Sequence, residues 1–254
     1  MKLKAWTTLS WSHSWWYRPP VANKTDRLGM AFFDYPAGTQ FGRIIPKSKI
    51  LQDTKPTATV RKQFTSHIDR IIWAYKLAPT TLKAMAGGPD IEIQVLTLAL
   101  KTGHLDDAVL RTIDKAIPHA TIFELTYGEQ RCVRAAYKRP SEAGGDKWVV
   151  VNKAYFGTEW QSSMPERQKL PTAIDMDQLY QALLKSLLPI AARTRETLEQ
   201  HIARCAEIKA LQKQITRLQG ARRSELQYKK QMAMNTELKE AKLQMQVLTA
   251  GDAS

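Results

Sequence analysis

The chain has 254 residues, with 38 lysines and arginines against 24 aspartates and glutamates, a net charge of +14 and a pI near 9.8. That length suits one sizeable core with an appendage, or two domains. The composition excludes a collagenous or low-complexity chain, and the charge favours an acidic partner: nucleic acid, an anionic membrane surface or an acidic protein.

The two cysteines, Cys132 and Cys205, exclude a disulfide framework and fit a reducing compartment. No CxxC or Cys/His cluster suggests zinc. The cleanest apolar run, Val95 to Leu100, is far short of the roughly 20 residues that a bilayer helix needs. These features predict a soluble, cytoplasmic protein with no membrane partner.

Residues 1–29 differ from the rest, with four of the seven tryptophans, a Pro-Pro pair and no clear period. They lack the unbroken apolar core of a signal peptide. They are read as an irregular extension, with Met30 as an alternative start. Residues 1–65 hold eleven basic against three acidic side chains, which places most of the expected anion attraction there.

Residues 30–56 read as short extended pieces and turns, from which Arg43, Lys47 and Lys49 project around Pro46. From Thr57 to Leu77, Val60, Phe64, Ile68, Ile71, Ile72 and Tyr75 follow a helical period, predicting one helix that stops before Pro79. Ile91 to Leu100 reads as a strand apolar at both parities, which predicts a central strand buried on both faces, or a bulge near Val95-Leu96.

Leu105 to Ile117 is an amphipathic helix, with Asp106 and Asp107 in its first turn favouring the helix dipole. Asp114 and Lys115 are assigned to its end. Thr121–Tyr127 and Arg131–Lys138 form two strands around a turn at Gly128-Glu129. Short strands follow at Trp148–Val151 and Tyr155-Phe156.

The polar stretch from Met164 to Thr172 suggests a boundary. Asp175–Leu188 is an amphipathic helix, and from Thr194 the pattern is almost wholly helical. Leu198, Ile202, Cys205, Ile208, Leu211, Ile215 and Leu218 form a narrow seam, and Met234, Leu238, Ala241, Met245 and Leu248 form another. The seam fails at Gly220 to Lys230, which suggests a helical hairpin or a slipped register. Each run is too short to stand alone, so it must pair with itself, another copy or a partner.

The expected fold is therefore an α/β (mixed α+β) domain with a mixed, partly antiparallel sheet, followed by a long helical, coiled-coil-like C-terminal tail. The domains are the extension 1–29, the α/β domain 30–172 and the helical domain 173–254. Removing residues 193–254 is expected to abolish self-association and leave the α/β domain folded.

FDYPAGTQFGRIIPKSKI, IDRIIWAYKLAPTTL, LRTIDKAIPHATIFEL, AAYKRP and YFGTEW resemble the bacterial domain-of-unknown-function family 4391, over about residues 30–248. The resemblance implies company with helicases, DNA methyltransferases and restriction-type systems, hence an accessory part in DNA transactions or phage defence. It carries over no catalytic residues.

For chemistry, a metal-dependent nuclease needs acids converging on a divalent cation. The weak candidates are Asp90 and Glu92 opening the central strand, joined by Glu124; Lys101 lies about 30 Å from Glu92 at 3.3 Å per residue. His104 with Asp106 and Asp107 reads as helix capping rather than a metal site. No P-loop and no catalytic triad spacing is present, so no cofactor is expected. For nucleic acid, Arg43, Lys47, Lys49, Lys76, Lys138 and Arg139 are interleaved with aromatics and turns; the competing reading has these lysines covering core tyrosines and snorkelling to water. The leading reading is a non-catalytic accessory protein that binds nucleic acid, a helicase or methyltransferase partner, or both. The alternatives are a divergent metal-dependent nuclease and a structural coiled-coil scaffold that self-associates through residues 193–254.

Overall fold

The apolar run from Ile93 to Leu100 sits inside a seven-stranded mixed sheet and is covered on both faces. The computed structural model describes residues 32–82, 91–141, 148–151, 154–162 and 166–250; the extension 1–29 and Asp90 lie outside them. In chain order the strands are β1 (Phe33–Asp34), β2 (Gln40–Ile44), β3 (Ile68–Leu77), β4 (Ile93–Leu100), β5 (Ala120–Tyr127), β6 (Gln130–Ala135), β7 (Lys138–Pro140), β8 (Trp148–Val150), β9 (Phe156–Gly157), β10 (Gln161–Ser162) and β11 (Gln168–Lys169). The helices are α1 (Lys47–Thr54), α2 (Ala58–His67), α3 (Asp107–Ala116), α4 (Met176–Leu187), α5 (Leu198–Ser224) and α6 (Tyr228–Thr249).

The main sheet runs β10-β6-β5-β4-β3-β2, with β9 also paired to β6. β2, β3 and β4 are antiparallel neighbours, and α3 carries the chain from β4 to the parallel β5. β5 and β6 form a hairpin whose turn uses Gly128 at φ 55°, a conformation that costs glycine little.

Side-chain alternation sorts the core into two layers. Leu96, Leu98, Phe123 and Leu125 face α1, α2 and α3, meeting Ile50, Phe64, Val109, Leu110 and Ile113. Ile93, Val95, Ala120 and Ile122 face the other way, onto Leu179, Leu183 and Leu187 of α4 and Leu198, Ile202 and Cys205 of α5. This double coverage explains the apolar residues at both parities of β4. The expected irregularity lies opposite Val95-Leu96, where the register of β3 shifts between Trp73 and Tyr75.

The first turn of α3 is capped by Asp106, whose carboxylate accepts from the Ala108 amide at 2.8 Å. That bond holds the Asp106 carboxyl below the usual aspartate range. Thr197 and Gln200 form a reciprocal capping box at the start of α5.

Three expectations are corrected. The single helix over 57–77 ends at His67, and Ile68–Leu77 is strand β3. Its β-branched and aromatic residues pair with β4 along their length, a non-local gain that overrides a helical period. Residues 47–54, read as extended, form α1, which starts after Pro46 and ends with Lys55 at φ 46°. The compositional boundary at 172 is not a break in the core, because α4 and the start of α5 share the apolar layer with the sheet. Cutting at 193 would therefore strip Leu198, Ile202 and Cys205 from that layer.

From Leu211 on, the buried apolar residues of α5 cluster with α6: Leu211, Ile215 and Leu218 meet Leu238 and Ala241. The chain reverses at Glu225–Gln227, so the two seams pair with each other as a helical hairpin. Gly220 lies within α5 and does not make the turn.

Close packing also fixes Gly157 in β9. A Cβ there would lie 1.9 Å from the Val133 carbonyl oxygen and 2.7 Å from the Arg134 side chain. Gly157→Ala is expected to break the β9–β6 pairing and cost about 1–3 kcal/mol as overpacking. An unchanged thermal midpoint would contradict this.

Candidate functional site

The polar residues of the sheet gather where the C-terminal end of β3 meets the N-terminal ends of β4 and β5. Lys76 on β3 lies opposite Gln94 on β4 in register, and Gln94 lies opposite Thr121 on β5. Glu92 pairs with the Lys76 ammonium at 2.7 Å and accepts from the Gln94 amide at 3.0 Å. His119 Nε2 lies 3.7 Å from the same carboxylate. Burial holds His119 below the usual histidine range, with Lys138 and Lys76 pushing the same way and Glu92 opposing. Gln94 is 1 % exposed, and its Oε1 has no hydrogen-bond partner.

Behind this rim lies a buried charge pair that the sequence did not disclose. Lys138 is 1 % exposed; its ammonium lies 3.1 Å from Asp114 Oδ1 and donates to the Asp114 and Ile117 carbonyls at 3.0 and 2.7 Å. It therefore caps the C-terminus of α3, where free carbonyls and the helix dipole favour a cation. The Tyr155 hydroxyl donates to the other Asp114 oxygen. The Lys138 amide donates to the Tyr180 hydroxyl at 2.9 Å, which in turn donates to the Ala136 carbonyl at 3.0 Å. Burial pushes the Asp114 carboxyl up and the Lys138 ammonium down, each opposed by its partner's charge. Lys138 is thus a correction: it neither faces an external phosphate nor snorkels to water. Asp114, assigned to a helix end, is a core residue.

The other expected contacts are scattered. Arg43 is exposed on edge strand β2, its guanidinium 4.7 Å from the centre of the Phe41 ring, and Lys49 is exposed on α1. Lys47 is half-buried and donates to the Ile68 carbonyl at 2.8 Å. Lys76 is held by Glu92, and Arg139 lies 3.6 Å from Glu199. Only Arg43 and Lys49 remain outward-facing without an acidic partner.

Of the three candidate acids, Asp90 lies outside the described residues, and Glu92 and Glu124 do not come together. Glu124 has the parity of Ile122 and lies on the opposite face of the sheet from Gln94. There it takes a bidentate Arg167 at 3.1 and 2.8 Å, while the same guanidinium donates to the Phe33 carbonyl at 2.6 Å. That links β5 to the segment carrying β1 and β11. Lys101 donates to the Thr65 carbonyl at 3.1 Å, away from Glu92. Among the described residues, no three of His, Cys, Asp or Glu converge as a metal site. Cys132 and Cys205 are buried and free, their thiols pushed up to about 11 by burial, the reverse of an activated nucleophile.

A large block of exposed charge, among the described residues, lies on the helical hairpin. Residues 209–242 hold nine lysines and arginines against three glutamates, and all nine cations are exposed. No ion pair joins any of them to a described residue. The sequence signal was available, but counting residues 173–254 together dilutes it with the acids of the helix bases.

The architecture defines the class: a mixed α+β protein whose sheet is layered between helices and which carries a helical hairpin. The chain belongs to the family described as a domain of unknown function, DUF4391, which matches residues 33–245. No curated protein and no solved structure matches it. Among the described residues, no helix is long and apolar enough to cross a membrane.

Proposed function

We propose that this protein is a non-catalytic accessory component of a bacterial DNA-transaction or phage-defence system, which binds nucleic acid and works beside a helicase or methyltransferase. The observation that carries this reading is the exposed cationic surface of the hairpin, whose charges pair with no carboxylate among the described residues. Such a surface draws a polyanion by counterion release. The Lys76–Glu92 pair supports the non-catalytic part, because it neutralises the Glu92 carboxylate at the sheet rim.

The test is equilibrium binding of the full chain to single- and double-stranded DNA and RNA between 50 and 200 mM salt, the range over which phosphate contacts cost about 10³–10⁵ in affinity. A steep linear fall of log affinity with log salt is expected. No binding at the lowest salt, or binding indifferent to salt, would refute the reading.

A second reading, a divergent metal-dependent nuclease, draws on the Glu92–Gln94 pair with its unpartnered Gln94 oxygen. It requires Mg²⁺-dependent cleavage that is lost in Glu92→Gln; cleavage unaffected by that change would exclude Glu92.

A further inference from the structure

We propose that the distal end of the α5–α6 hairpin is the nucleic-acid contact, gripping the phosphate backbone away from the sheet domain. This rests on the reading above and assigns it a surface.

The hairpin is anchored at one end and open at the other. At its base, Leu198, Ile202 and Cys205 are buried against the sheet layer. Arg193 donates to the Val247, Leu248 and Ala250 carbonyls at 2.7, 3.2 and 3.0 Å, and Arg204 donates to Leu248 at 3.1 Å. These bonds tie the last turn of α6 to the start of α5. Beyond that point the helices bury apolar side chains only against each other. From Leu211 to Ser224, α5 extends about 20 Å at 1.5 Å per residue.

The charges along this arm are ordered. Lys209, Lys213 and Arg217 recur every four residues on α5 and so share one ridge. Like charges at that spacing destabilise an isolated helix, so the row does not serve the hairpin's own stability. Its members step by about 6 Å, whereas a nucleic-acid strand carries a charge about every 3.4 Å of axis.

At the tip, Arg222, Arg223, Lys229 and Lys230 flank the turn, with Glu225 the only acid among residues 217–230. The Glu225 carboxylate is engaged in the turn, accepting from the Gln227 amide at 2.9 Å. Tyr228 is 76 % exposed beside Lys229 and Lys230, a placement suited to stacking on an unpaired base.

An independent feature lies just behind the tip. A shallow cleft of about 250 Å³ between the helices is lined by Gln219, Arg222, Asn235, Leu238, Lys239 and Lys242. Arg222 is oriented there by donating to Asn235 Oδ1 at 3.0 Å. Three cations and two amides around one recess are the donor set for a phosphate. A protein partner would favour an apolar centre depleted of charge; here the exposed Leu226, Tyr228 and Met232 stand among Arg222, Arg223, Lys229 and Lys230.

The experiment compares three forms of the full chain by fluorescence anisotropy with a labelled single-stranded oligonucleotide and its duplex across a salt series. They are wild type, the tip variant R222E/R223E/K229E/K230E, and the sheet-edge variant R43E/K49E. A second tip variant with glutamine at the same four positions removes attraction without adding repulsion. Both tip variants are expected to lose at least about ten-fold in affinity and to flatten the salt slope by about one per lost contact, while R43E/K49E loses less. Wild-type binding that survives in both tip variants and fails in R43E/K49E would overturn this assignment and leave the general reading standing. No wild-type binding at all would overturn both. Polyglutamate competing as well as DNA at equal charge would also overturn the assignment, by making the tip a surface for acidic proteins.

Discussion

Lys138→Met is expected to destabilise the protein by about 3–5 kcal/mol, the cost of leaving a buried charge without its partner. Asp114 would keep its carboxylate at zero side-chain exposure, with only the Tyr155 hydroxyl and weaker neighbours to offset it. The two α3 carbonyls that Lys138 serves would lose a donor as well. A fall in the urea midpoint at unchanged slope is the expected readout. Lys138→Met combined with Asp114→Leu should recover part of the loss, because the uncompensated charge is gone. A double-mutant cycle in which the two changes simply add would show that the pair does not act as a unit; a Lys138→Met midpoint equal to wild type would remove the keystone role entirely. Loss of nucleic-acid binding in a Lys138 variant would report unfolding, not a lost phosphate contact.

Arg204→Leu is expected to cost about 3 kcal/mol by the same mechanism and to free the end of α6. Arg204 donates to both oxygens of Glu196, at 2.6 and 2.7 Å, and to the Ala191 and Leu248 carbonyls at 2.8 and 3.1 Å. The side chains of the pair are only 7 % and 8 % exposed. The hydrogen bonds from Arg204 lower the Glu196 pKa from 4.5 to about 2. A depressed carboxyl stabilises the folded state above its unfolded pKa, and that contribution drains as pH falls from about 4.5 towards 2. Wild type should therefore lose stability across that window, and Glu196→Gln should show a flatter acid limb. Hydrogen exchange should detect the same coupling, with amides of residues 240–249 losing protection in Arg204→Leu. Protection equal to wild type would mean that the arginine does not hold the hairpin closed.

Two of these residues show what sequence reading misses. A lysine after a tyrosine at a strand end carries no local mark of burial, because surface lysines follow tyrosines just as often. Lys138 is buried because the β5–β6 hairpin returns its strand beneath α3, where unpaired helix-end carbonyls and Asp114 await a cation. Arg204 sits at the polar edge of an apolar seam. Its role depends on α6 folding back 44 residues later.

The local chemistry of this chain determined a good deal by itself. The double parity of Ile91 to Leu100 already implied either a central, doubly covered strand or a bulge near Val95-Leu96. Asp106 and Asp175 marked helix limits, and Gly128 marked the hairpin turn, because capping and turn geometry are set by neighbouring residues. The two heptad-like runs required partners, since neither could bury its seam alone.

Only the tertiary structure decided the rest. Residues 68–77 became a strand because β4 lies beside them. The two seams pack against each other. Glu92 and Glu124 were separated to opposite faces by strand alternation across a parallel pair, and the cations of the hairpin were left on the outside of a narrow two-helix packing. In each case the deciding contact joins residues far apart in sequence, where loop closure and burial, not local preference, set the free energy.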